Sequence, residues 1–178
     1  MAGTRFRMEL DADEVTQAIS LALARIEQPR DLYDSLGAAL VASTDLRFEN
    51  TEAPDKTQWP KSIRVLLEGG KTLTDTGYFR RTITHEASDT GVAVGTDHIA
   101  AAIHQFGGTI RAKNGKGLAF SIGGENVVVP SVYIPARPFL GLSDDDEAEI
   151  IALAGDWLLA PLGGADAPAA NEEERSDG

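Results

Sequence analysis

The spacing of apolar residues changes along this chain, and the change decides its fold class. Val15, Ile19, Leu23 and Ile26 fall four, four and three apart, and after Pro29 the residues Leu32, Leu36 and Leu40 recur every four. Such spacing lines one face of a helix. From Thr82 the period drops to two: Thr82, Thr84 and Glu86 alternate with Ile83, His85 and Ala87. That is the pattern of a strand. A helical pattern then returns in Ile150, Ile151, Leu153, Ala154, Trp157 and Leu158. Helices, then strands, then a helix predict an α+β domain. Its N-terminal helices and C-terminal helix pack on a mainly antiparallel sheet with a projecting hairpin and arm.

Punctuation residues set the boundaries. Asp13 is a candidate N-cap, and Pro29 separates two helices within residues 11–47. Residues 48–61 read as a loop that Trp59 pins to the body. A short helix over 62–72 stops at Gly69-Gly70, and Asp75 or Thr76 caps a turn leading to Arg81. Strands are expected at 82–87 and 91–96, with a short helix over 99–106. Two further strands, 109–112 and 118–122, flank a basic turn at Lys113–Gly117, and 126–129 follows Gly123-Gly124. The three prolines in 130–139 make that stretch an edge strand or extended arm. Ser143 caps the last helix, which runs to about Leu159, and no internal repeat is present.

Charge is distributed unevenly. Residues 143–178 hold eleven acids and one base, so that segment carries −10 of the net −12. Residues 1–160 are expected to form one domain, and 161–178 an acidic, disordered tail. The expected role of that tail is solubility through mutual repulsion; docking on a basic partner is the alternative. The near-neutral body lacks the basic face of a sequence-specific DNA reader. No apolar run approaches the ~18 residues of a membrane span, and residues 1–15 are polar and acidic, without the apolar h-region of a secretory signal. A soluble protein made in a reducing cytoplasm is the expectation.

Catalytic chemistry finds no support. The chain has no cysteine and three histidines, His85, His98 and His104. It lacks G-x-S-x-G, P-loop, H-E-x-x-H and dinucleotide fingerprints. His98 and His104, six apart, point to opposite faces of one helix, and His85 reads as a surface strand residue. Asp144-Asp145-Asp146 suits a helix N-terminus better than a cation site. The expectation is no enzyme, no metal and no cofactor.

Three short rigid motifs stand out instead: Leu73–Ile83, Ala101–Gly108 and Ile134–Leu142. Ile103, Phe106 and Phe139 read as residues that hold the domain together. Arg80, Arg81 and Arg137 suit contact with another subunit, since arginine is seldom buried without a partner. Arg137, restrained between Ala136 and Pro138, is expected to hold its guanidinium out toward a carboxylate in this subunit or the next. The hairpin region Lys113–Gly124 and the arm Pro130–Pro138 add exposed apolar residues, with Val128, Tyr133, Ile134 and Phe139 as further candidate interface positions. Arg111, Lys113 and Lys116 are the basic set that would face DNA.

LTDTGYFRRTI, VAVGT, AAIHQFGG and IPARPFLGLS, in that order, resemble the phage virion morphogenesis family, which includes tail completion proteins of P2-like and Mu-like phages. Arg47-Phe48, Pro54-Asp55 and Trp59-Pro60 match its loop pattern, although Lys56 stands where a glycine is common. The resemblance covers roughly residues 10–160. It implies a structural virion protein of the phage neck, assembled in the host cytoplasm, with no catalytic residue. Its implied partners are copies of itself in a ring, most simply a hexamer, the tail tube or terminator, and the head connector. Genome DNA would pass through the channel without specific binding. A tail terminator ring is the near alternative, and a DNA-binding module of the packaging apparatus the alternative from another class.

Overall fold

Helix α2, Arg30–Asn50, is the beam on which the other elements rest. The computed structural model describes residues 12–113, 115 and 117–160. Helix α1, Ala12–Glu27, precedes α2. Pro29 separates them, and its carbonyl accepts the Tyr33 N–H at 3.0 Å to close the first turn of α2. Asp13 lies inside α1 rather than at its cap. Helix α2 runs three residues past the expected boundary and ends where Thr51 turns left-handed at φ 57°. Helix α3 is Ile63–Glu68, capped by Ser62 and stopped at Gly69. Helix α4, Tyr78–Arg81, is a single turn. Helix α5 is Ala101–Phe106, and α6 is Asp144–Leu159.

The strands form pairs rather than one sheet, which corrects the expected architecture while leaving the α+β class intact. Strand β1, Thr84–Ser88, pairs antiparallel with β2, Gly91–Gly95. Strand β3, Gly108–Arg111, pairs with β6, Ser131–Ile134, and β4, Leu118–Ile122, with β5, Glu125–Val129. The basic turn after Arg111 therefore does not close a hairpin between its flanking strands. Residues 82 and 83, expected to open β1, instead close α4 through Thr82 N–H to Phe79 O and Ile83 N–H to Arg80 O. That places Ile83 in the core.

Packing on α2 explains its composition. The β1–β2 hairpin lies so close that a Cβ on Gly37 would fall 2.4 Å from the His85 ring. His85 is not the free surface histidine expected: it is half-buried, with Nε2 3.0 Å from Asp34 Oδ1. Helix α6 packs on α2 and not on a strand pair. Its Trp157 donates to Asp31 at 2.9 Å and lies under the Arg25 guanidinium at 5.0 Å. Ile151 and Leu158 of α6 face outward, as do Val15, Ile19, Leu23 and Ile26 of α1. The apolar stripe of α1 is thus largely uncovered in the single chain.

Lys56, where the family pattern favours glycine, sits at φ 66°. A side chain is strained there and glycine is not. The ion pair of Lys56 with Asp145, 2.6 Å between exposed groups, offsets little of this. Lys56→Gly is therefore expected to raise the melting temperature modestly in a thermal scan. A fall would show that the ion pair outweighs the backbone strain.

Candidate assembly surface

The motifs picked out in sequence meet at one place. Phe48 and Phe139 are fully buried, and the Phe48 ring centroid lies 5.4 Å from Trp59, 5.5 Å from Phe79 and 5.6 Å from Phe139. The extended segment after β6 is gripped by its backbone. Arg137 N–H donates to His104 O at 2.7 Å, and Trp59 Nε1 donates to Pro138 O at 2.8 Å. Arg47 Nη1 donates to Phe139 O at 3.0 Å and Gly141 O at 2.8 Å. The Gln105 amide accepts from Phe139 and Leu140 N–H and donates to Leu140 O. Gly107, at φ 70°, lets this segment approach, since a Cβ there would fall 2.7 Å from Ala136 N.

These positions correct two expectations. Phe139, read both as a residue that holds the domain together and as an interface candidate, has no accessible surface and is core. Phe106, read as core, is 78% exposed. Gln105 and Arg47 were not singled out from residue chemistry, because an amide and an arginine carry no apolar period. Their signal was position alone, each beside an aromatic: Gln105 within a rigid motif and Arg47 in the loop pattern of the resembled family.

The arginines divide by role. Arg80 donates to both oxygens of Asp45 and to Glu49, and these hydrogen bonds, Asp45 first, hold its pKa above the ordinary guanidinium value. It braces α4 to α2 and is not free for a partner. Arg81 is exposed, with Nη1 on Thr76 O at 3.2 Å. Arg137 is 4% exposed rather than held out, with Nε on Pro60 O at 2.7 Å. Among the described residues it has no carboxylate partner, and burial pushes its pKa down.

The two C-terminal strand pairs carry most of the remaining candidates. Tyr133 is 70% and Val128 64% exposed, with Ile110 and Phe120 also outward and Ile134 half-buried. Among the described residues each pair has only two strands, so every strand keeps an unpaired edge. The β4–β5 hairpin touches α3 at its tip, where Gly123 N–H donates to Glu68 at 3.2 Å. A two-stranded ribbon is marginal in water, and open edges readily accept another strand. Arg111 and Lys113 are exposed; Lys116 lies outside the described residues, as does the acidic tail.

His98 and His104 do not share a helix, since His98 precedes α5; both rings lie against Phe79, at 4.5 and 5.9 Å. Among the described residues no cluster of metal-ligating side chains occurs, and no helix is long and apolar enough to cross a membrane.

Residues 10–159 match the phage virion morphogenesis family, and the chain belongs to it. It is 31% identical over 148 residues to the Mu-like prophage FluMu G protein 2 of Haemophilus influenzae, covering 83% of this chain and 91% of that one. It is 28% identical over 153 residues to the putative capsid assembly protein G of Escherichia phage Mu, covering 81% and 83%. No solved structure matches it.

Proposed function

We propose that this protein is a non-enzymatic ring subunit of the phage neck, which completes the tail and joins it to the head connector. The supporting observation is the pair of two-stranded ribbons with exposed Val128 and Tyr133 and unpaired edges. A head-to-tail contact between copies would cover these edges and, with a suitable rotation, close a ring such as a hexamer. Arg111 and Lys113, on or beside the same ribbons, would then screen DNA passing through the channel without reading its sequence. The relative in phage Mu is described as a capsid assembly protein, which agrees with an assembly role.

Aspartate at Val128 or Tyr133 places a charge on the surface that would be buried between copies. Both variants are expected to keep the wild-type circular dichroism spectrum while losing the ring by sedimentation. In infected or induced cells, heads and tails should accumulate unjoined in electron micrographs. Wild-type yields of joined particles from both variants would overturn this assignment.

A further inference from the structure

A cleft of about 370 Å³ opens between α4, the turn at Leu73–Gly77 and the arm that carries Arg137. Arg137 lines it while remaining 4% exposed, and Nε is the one hydrogen-bonding nitrogen of its side chain among the described residues. His104 lines the same cleft, with Nδ1 buried and unpartnered. A guanidinium held in such a place is costly unless a carboxylate completes its fork. Burial, and then the charge of Arg137, lower the pKa of His104, so the firm cations lining the cleft are Arg137 and Arg64.

Nearby acids of the described domain already face other cations, Asp75 within the lining of the cleft itself. Asp45 and Glu49 hold Arg80, and Asp75 lies 3.6 Å from Arg64. A cleft this small and concave admits an acidic side chain of a peptide segment, not the convex backbone of a duplex.

The sequence supplies such a segment. Residues 161–178 contain five acids, three of them consecutive at Glu172–Glu174, and one base. Helix α6 delivers that segment near Asp31, at the start of α2, through the Trp157 bond. The cleft lies toward the other end, where Phe79 meets Phe48, and the 21 residues of α2 span about 30 Å. Eighteen residues reach about 60 Å when extended, enough to leave one subunit and enter the next in a head-to-tail ring.

We propose that the acidic segment following Ala160 of one copy docks in the Arg137 cleft of the neighbouring copy, with a carboxylate of Glu172–Glu174 completing the guanidinium fork. This rests on the copy-to-copy assembly proposed above. The sequence favours repulsion as the role of the segment; the cleft provides the basic partner that the sequence does not display.

The test uses full-length chains and sedimentation. Arg137→Gln and the triple variant Glu172→Gln, Glu173→Gln, Glu174→Gln are each expected to self-associate at least about tenfold more weakly than wild type. Mixing them is decisive, because the first keeps an acidic segment and the second keeps an intact cleft. The mixture should form a one-to-one complex that neither forms alone, which also shows that the Arg137→Gln chain is folded. Wild-type association by the triple variant, a mixture that stays monomeric, or a wild-type protein that is itself monomeric at every concentration would each overturn the proposal. If the cleft and tail variants still join heads to tails while Val128→Asp does not, the ring reading stands and this docking falls.

Discussion

Asp146→Asn is expected to destabilise the domain by about 3–5 kcal/mol, because it leaves the Arg47 charge buried and unpaired. Arg47 is 5% and Asp146 4% exposed, and the two form an ion pair. Asp146 also accepts from the Ser143 backbone and hydroxyl at 2.7 Å, closing a capping box at the start of α6. One carboxylate therefore caps α6, neutralises α2 and, through Arg47, fixes the segment at Phe139. Burial alone would raise its pKa; hydrogen bonds from Ser43 and Ser143 and the Arg47 charge outweigh burial and hold it below 3.8. The unfolded carboxyl consequently binds protons more readily than the folded one. The stabilisation is complete above about pH 5 and is lost as pH falls through the depressed folded value. Urea unfolding of the wild type should show that loss, and Asp146→Asn should show less of it. The double variant Arg47→Met, Asp146→Leu should recover much of the cost, since an apolar pair often replaces a buried ion pair without penalty. A cost below about 1 kcal/mol for Asp146→Asn would contradict the role given to the pair.

Local chemistry made most of the elements readable. Pro29, Gly69 and Ser143 mark real boundaries, because a missing donor, a glycine stop and a hydroxyl cap act within a few residues. Strand partnership was not readable, because it depends on groups far apart in the chain. Gly108–Arg111 pairs across twenty residues with Ser131–Ile134, and the intervening β4–β5 hairpin satisfies itself. The apolar period also failed to distinguish a face buried in the subunit from one left open. Val15, Ile19, Leu23 and Ile26 have the spacing of a core helix, yet α1 leaves them exposed. Periodicity reports that a face is to be covered, and not by which chain. In the candidate site, exposed Val128 and Tyr133 were legible as outward residues of short strands. The fates of Arg80 and Arg137 were not: both are arginines in rigid motifs, and only the fold shows that Arg80 has Asp45 and Glu49 beside it.

Phe139→Ala and Phe106→Ala separate the two aromatic residues that the motifs present in similar fashion. Phe139 is fully buried, with its ring 5.1 Å from Phe79 in an edge arrangement and 5.6 Å from Phe48. Truncation removes both contacts and leaves a void between the arm, α2 and α4. The surrounding backbone cannot collapse into it, because Gln105, Arg47 and Trp59 hold Pro138, Phe139 and Leu140 from three sides. A cost of about 3–5 kcal/mol is expected, at the upper range for losing a core ring. Phe106, 78% exposed, should change the stability of the single chain by no more than about 0.5 kcal/mol. Urea midpoints at fixed slope measure both. Phe106→Ala retains the fold but loses an exposed ring beside the β3–β6 ribbon, so its effect is read in the yield of joined particles rather than in unfolding. Equal stability costs for the two variants would mean that the motifs do not converge on Phe139, and the aromatic centre would lose its place as the anchor of the assembly surface.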